Sequence, residues 1–233
     1  GIHCHIGSQI FETTGFIMAV QKLYEAIKKW KEKHHFIPAV LNLGGGFGIK
    51  YTEGDEPKPL AEYVESLVQE VKKQSRELDI PIPEIWIEPG RAIVGDAGIT
   101  LYTIGAIKEI PNVRSYVSVD GGMTDNIRPA LYNAKYNGIV ANKVNEPLEK
   151  KVSIAGKCCE SGDMLIWDLE VPKIKPGDIL AVQSTGAYGY SMASHYNRFP
   201  KAAVVFVEDG KDQLVIKRER FDELTRLDIP YEK

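Results

Sequence analysis

Three times in the first hundred residues a short apolar run closes on a glycine-marked loop, and a long amphipathic segment leads from each run to the next. Residues 1–7 (Gly-Ile-His-Cys-His-Ile-Gly) read as a strand, Ala39–Leu43 as a second ending in Gly44-Gly45-Gly46-Phe47-Gly48, and Glu84–Glu88 as a third closed by Pro89-Gly90. Between them, Phe16, Val20, Leu23, Tyr24, Ile27 and Trp30 recur at helical spacing from about Thr14 to Lys33. Tyr63, Val64, Leu67, Val68 and Val71 do the same from about Leu60 to Leu78. Strand, helix, strand, helix, strand at this spacing predicts parallel β/α units, because successive strands joined through a helix return in the same direction.

After about Ala97 the rhythm changes to short strands separated by turns. Ile99–Ile110, Ser115–Asp120, Lys151–Ala155, Asp178–Val182, Ala203–Val207 and Gln213–Arg218 are rich in Val, Ile, Tyr and Thr, and Glu208-Asp209-Gly210-Lys211-Asp212 between the last two is a hairpin signal. The expectation is an α/β plus β chain: a β/α region over 1–97 and a mainly antiparallel β domain over 98–233. There is no internal repeat and no low-complexity linker.

Composition bounds the partners. A chain of 233 residues with 43% hydrophobic and 26% charged residues is neither disordered nor fibrous. A net charge of -3 supplies no positive field for nucleic acid or anionic lipid, which leaves a small molecule as the expected partner. No apolar run approaches the roughly 18 residues that span a bilayer, and no basic-then-apolar leader opens the sequence. The three cysteines, Cys4, Cys158 and Cys159, make a poor disulfide framework and fit a reducing compartment, so a cytoplasmic protein is expected. The sequence starts at Gly1 inside a strand-like run and reads as a piece of a longer protein.

In β/α proteins ligands gather at the carboxyl ends of the strands, and the reactive residue types lie there. Gly44, Gly45 and Gly46 can bring bare backbone amides around an anion such as phosphate, or can make a plain tight turn. Glu88-Pro89-Gly90-Arg91 offers an acceptor for a protonated ring nitrogen and a cation for a phosphate or carboxylate, or else a structural Glu–Arg pair. His3 and His5 share one face if they lie on a strand, with Ser8 just beyond; an imidazole there could stack on a flat cofactor or fill a polar core site. No metal site is expected, because nothing resembles zinc-ligand spacing. Cys158-Cys159-Glu160-Ser161-Gly162-Asp163 follows a β run and holds a thiol beside acids. Arg128-Pro129-Ala130-Leu131-Tyr132 and Gly186-Ala187-Tyr188 add a cation and two phenols near loops.

Taken in order, His-Cys-His-Ile-Gly-Ser-Gln (3–9), Gly-Gly-Gly-Phe-Gly (44–48), Glu-Pro-Gly-Arg (88–91), Arg-Pro-Ala-Leu-Tyr (128–132), Cys-Glu-Ser-Gly-Asp (159–163) and Gly-Ala-Tyr (186–188) closely resemble the diaminopimelate decarboxylases. These are pyridoxal 5′-phosphate enzymes that combine an alanine-racemase-like (β/α)8 barrel with a β domain. The resemblance implies decarboxylation of meso-2,6-diaminopimelate to L-lysine and CO2. It implies that His5 stacks on the pyridine ring, that Ser8, Gly44, Gly45 and Gly46 hold the phosphate, and that Glu88 keeps the ring nitrogen protonated so that the ring drains electrons. Pro89, Gly90 and Arg91 would complete the cofactor cradle. Arg91, Arg128 and Tyr132 would grip the substrate's distal carboxylate, Glu160 its distal ammonium, and Tyr188 both cofactor and substrate. Cys159 would return a proton to carbon. The Cys159–Glu160 segment would come from the second subunit of a homodimer.

Glu160, where ornithine-acting relatives generally carry Asp, favours diaminopimelate over ornithine, arginine or carboxynorspermidine. One element of the pattern is missing: the family's Schiff-base lysine lies upstream of the His-x-His-Ile-Gly-Ser segment, and no lysine here takes its place, Lys50 and Lys157 being poorly placed for it. Three strands of the eight that such a barrel closes with are expected, so the isolated chain is expected to be inactive and to self-associate through its open edge, or to serve as a non-catalytic, regulatory cofactor-binding piece.

Overall fold

Three parallel strands, β1 (Ile2–His3), β2 (Val40–Asn42) and β3 (Glu84–Trp86), pair in the order β1-β2-β3, with Leu41 level with Ile2 on one side and Ile85 on the other. The computed structural model describes residues 1–232. The strands are shorter than the apolar runs suggest, yet pairing persists beyond them: the Cys4 amide donates to the Asn42 carbonyl at 3.0 Å, Leu43 to Trp86 at 2.9 Å and Glu88 to Gly44 at 2.7 Å. Left-handed glycines cause the difference. Gly7 (φ 140°), Gly44 (φ 69°) and Gly46 (φ 95°) turn the backbone off the ladder after β1 and β2. The expected common strand face for His3 and His5 is therefore not formed, since β1 stops at His3 and His5 lies in the loop beyond.

Helices α1 (Thr14–His34) and α2 (Leu60–Glu77) connect the strands. Phe16, Val20, Tyr24 and Ile27 form the buried stripe of α1, and Tyr63, Leu67 and Val71 that of α2. These stripes meet Leu41, Leu43 and Phe47 in one core, where the Phe16 and Phe47 rings stack at 5.1 Å. Left-handed His35 ends α1: its amide bonds Lys31 and the next amide, Phe36, reaches back to Trp30, freeing the chain to enter β2. A four-residue helix, α3 (Arg91–Val94), follows β3.

The described residues fall into two compact units, Gly1–Ala97 and from Gly98 onward. The second holds a six-stranded sheet of β4 (Thr100–Ile110), β5 (Arg114–Val119), β6 (Gly138–Val140), β7 (Lys150–Ala155), β8 (Met164–Val171) and β9 (Ile179–Val182), in the order β6-β9-β4-β5-β7-β8. Only the β5–β7 pair in it is parallel. Ile104, Val117, Ile154, Leu165, Val171 and Leu180 are buried in this unit. A separate hairpin, β10 (Val204–Glu208) and β11 (Lys211–Ile216), closes through Asp209 (φ 50°) and Gly210 (φ 73°). The turn thus takes two residues where the sequence suggested five, because two successive left-handed residues match the strand twist and let pairing run up to Glu208 and Lys211. Sequence reading overlooked β8 and β6. In β8 the alternation of buried residues breaks at exposed Trp167 and left-handed Asp168, where its register with β7 shifts.

Candidate functional site

In the first unit the loops that follow the three strands crowd against one another. A Cβ on Gly44 would lie 2.5 Å from the Cys4 carbonyl oxygen, on Gly45 2.0 Å from that of Glu88, and on Gly46 2.1 Å from that of Gly7. Glycine is required at all three because backbone passes where a side chain would stand. The Gly45 amide points to His5 Nδ1 at 3.4 Å, and the Gly44 amide donates to Asn42 Oδ1 at 3.0 Å. His5, Glu88 and the Gly44–Gly46 turn are thereby brought together.

Glu88 is half exposed. Its carboxylate accepts from Asn42 Nδ2 at 2.8 Å and lies 3.3 Å from His3 Nε2. The Asn42 donor, assisted by His3, holds its pKa below the ordinary glutamate value, so it stands as an anion at the mouth of the turn. Pro89 and Gly90 then swing the chain into α3, whose first residue, Arg91, is buried and donates to Ser8 Oγ and Tyr51 Oη, both at 2.8 Å. Ser8, expected to hold the phosphate, and Arg91, expected to serve both cofactor and substrate carboxylate, are hydrogen-bonded to each other. Asn42 and Tyr51 are the residues that sequence reading passed over. Asn42 was detectable as a polar residue ending an apolar strand just before a glycine triplet; nothing local marked Tyr51.

In the second unit, residues 128–132 form a short helix, α4 (Arg128–Tyr132), with Pro129 in its first turn, where a missing N–H costs nothing. The Arg128 guanidinium lies 5.5 Å from the centre of the Tyr132 ring and 5.1 Å from that of Tyr188, and Arg128 Nε donates to Tyr136 Oη at 3.0 Å. Tyr188 holds a left-handed backbone (φ 61°). Residues far apart in sequence thus form one cationic, aromatic cluster.

Cys159 and Glu160 are exposed, whereas Cys158 is buried. Buried Asp163 accepts the Met123 amide at 2.6 Å and the Cys158 amide at 2.8 Å, fixing the loop from beneath. Burial first, and the neighbouring Asp163 second, push the Cys158 thiol above its ordinary pKa, so Cys158 is a protonated packing group. Glu160 accepts a hydrogen bond from the Tyr196 hydroxyl. Lys50 pairs with Glu53 at 2.8 Å, and Lys157 lies 4.3 Å from the centre of the Phe199 ring. Among the described residues no helix is long and apolar enough to cross a membrane.

Residues 1–95 match the family described as "Pyridoxal-dependent decarboxylase, pyridoxal binding domain". The chain is 64% identical over 233 residues to the diaminopimelate decarboxylase of Halalkalibacterium halodurans, covering 100% of this chain and 53% of that protein. It is 60% identical over 231 residues to the enzyme of Bacillus subtilis, covering 99% of this chain and 53% of that protein. The crystal structure of diaminopimelate decarboxylase from M. jannaschii in co-complex with L-lysine superposes with a TM-score of 0.91 at 35% identity, over 98% of this chain and 51% of that one. The chain spans about half the length of the relatives it matches. Along its whole length the chain is similar in sequence to diaminopimelate decarboxylases, and its first 95 residues match a pyridoxal-binding domain.

Proposed function

We propose that this chain is part of a pyridoxal 5′-phosphate-dependent carboxy-lyase that converts meso-2,6-diaminopimelate to L-lysine and CO2 in the cytoplasm. The observation that carries the reading is the meeting of Glu88, His5 and the Gly44–Gly46 turn at the ends of three parallel strands, with Glu88 held as an exposed anion. Similarity to diaminopimelate decarboxylases along the whole chain supports it, as does the lysine carried by one structural relative. The three β/α units are, on this reading, part of a (β/α)8 cofactor-binding barrel, and the unit from Gly98 onward is a β domain that serves the substrate.

The residues present fit the cofactor. An ionised carboxylate beside a loop of bare amides suits a flat cation-bearing ring with an anionic tail. When bound, pyridoxal phosphate supplies a ring that takes up the electron pair released as CO2 leaves. Glu88 would hold the proton on the ring nitrogen, with Asn42 keeping Glu88 ionised. His5 would help hold the ring. Ser8 and the Gly44–Gly46 turn would hold the phosphate, with the Gly44 amide also held by Asn42 and the long Gly45–His5 contact being the one an anion most readily replaces. Pro89 and Gly90 shape the rim, and Arg91 orients Ser8 while its charge favours anionic groups nearby. Arg128 and Tyr132 bind the distal carboxylate, Tyr188 contacts cofactor and substrate, Glu160 binds the distal ammonium, and the Cys159 thiol returns a proton to the carbon that lost CO2. Cys159 and Glu160 serve the partner's site in a homodimer.

The test is turnover by the complete protein that carries this chain, supplied with pyridoxal phosphate and assayed separately on meso-diaminopimelate, ornithine, arginine and carboxynorspermidine, with CO2 and amine product quantified. Lysine formation from diaminopimelate alone is expected, with Glu88→Gln reducing kcat by about a hundredfold or more, the scale of losing one electrostatic partner at a reacting centre. Preferential turnover of another of these substrates overturns the assignment.

A further inference from the structure

The Cys159–Glu160 loop is stitched from its far side by a segment to which no role is yet assigned. Lys157 lies 4.3 Å from the centre of the Phe199 ring, Asn197 Nδ2 donates to the Cys158 carbonyl at 2.8 Å, and the Tyr196 hydroxyl donates to Glu160 Oε1. The pairs run antiparallel, 157 with 199, 158 with 197 and 160 with 196, yet neither segment belongs to a sheet: side chains do what a ladder would otherwise do. Because Asp163 takes the Cys158 amide and Asn197 its carbonyl, the backbone just before Cys159 is held at both polar groups.

The stitching segment is itself anchored. Asn197 (φ 54°) and Arg198 (φ 57°) are consecutive left-handed residues, an arrangement that costs on the order of 1 kcal/mol per residue and persists only where contacts enforce it. The Ser194 amide donates to the Thr124 carbonyl at 3.0 Å, and the Glu219 carboxylate holds His195 Nε2 at 2.6 Å and the Lys201 amide at 2.8 Å.

We propose that Tyr196 is a positioning residue: its hydroxyl fixes one oxygen of Glu160 so that the other is presented to the distal ammonium of the substrate, which makes Tyr196 a determinant of substrate specificity. This rests on the reading of Glu160 given above. A glutamate on an exposed loop has three free torsions, and ordering them at the moment of binding weakens recognition. A tyrosine hydroxyl removes much of that freedom without neutralising the carboxylate, as an arginine or lysine would. The Glu160 carboxylate in turn raises the Tyr196 pKa, so the phenol remains a donor wherever Glu160 is ionised.

The experiment compares meso-diaminopimelate with 2-aminopimelate, which keeps the distal carboxylate and lacks the distal ammonium, in the complete enzyme loaded with cofactor. Tyr196→Phe removes one oxygen and keeps the ring. It is expected to raise KM for diaminopimelate about five- to tenfold, the scale of one ordinary hydrogen bond because the lost contact orders Glu160 rather than touching the substrate, with kcat within about twofold and 2-aminopimelate unaffected. Equal losses on both substrates, a loss confined to kcat, or wild-type discrimination would each overturn the proposal. Glu160→Gln separates the two levels. If it leaves discrimination intact, the reading of Glu160 itself falls and the proposal with it; if it abolishes discrimination while Tyr196→Phe does not, only the proposal falls. In the Glu160→Gln background, Tyr196→Phe is expected to change the ratio no further.

Discussion

The side-chain amide of Asn42 joins β2 to Glu88: Nδ2 donates to the Glu88 carboxylate at 2.8 Å while Oδ1 accepts the Gly44 amide at 3.0 Å. One residue therefore sets the position of the acid and the shape of the glycine turn beside it. Asn42→Ala is expected to move the Glu88 pKa upward, read from the carboxyl carbon shift in a pH titration by NMR. The sign follows from the direction of the native shift. A depressed carboxyl pKa contributes above the ordinary glutamate range and its contribution fades as pH falls through the folded value. Cofactor affinity is thus expected to decline on acidification, and to begin declining at higher pH in Asn42→Ala; an unchanged titration would remove Asn42 from this role.

Gly45→Ala is expected to be costly for a reason unrelated to flexibility. Its new Cβ would meet the Glu88 carbonyl oxygen at 2.0 Å, and backbone must move to admit it. A loss of about 1–3 kcal/mol is expected from the urea midpoint of unfolding, as for other overpacked sites. Gly54 has nothing within 4 Å of its Cβ position, so Gly54→Ala is expected to stay within about 0.5 kcal/mol.

Leu41 is fully buried in the middle strand of the parallel sheet, level with Ile2 and Ile85. Leu41→Ala is expected to cost about 2–5 kcal/mol of stability in chemical denaturation, and the loss falls on the element that carries Asn42 and the glycine turn. Cofactor binding is expected to weaken in parallel with stability.

Asp163→Asn replaces a buried acceptor of two backbone amides by a group whose NH2 faces them or must turn away. The expected loss is about 1–3 kcal/mol by thermal or urea unfolding. Because the Asp163 charge helps hold the Cys158 thiol protonated, the Cys158 pKa is expected to fall in this variant, measurable from its β-carbon shift. A Cys158 titration that does not move would mean that burial alone sets it.

What the amino-acid order determined was local. The stripes of α1 and α2 were legible because helical periodicity needs only neighbouring residues, and the glycine triplet and the Glu-Pro-Gly-Arg segment were legible as loop chemistry at strand ends. The ordered motifs also carried the family resemblance. What tertiary structure decided was pairing at long separation. Alternation could not announce β8, because left-handed Asp168 breaks its period, and the apolar run 1–7 could not show that β1 itself stops at His3. Arg91 meeting Ser8, Arg128 meeting Tyr188 and Tyr196 meeting Glu160 are contacts between residues 83, 60 and 36 positions apart. No local pattern encodes such meetings: which polar groups face each other follows from how buried surfaces pack, and that is settled only when the whole chain closes on its cores.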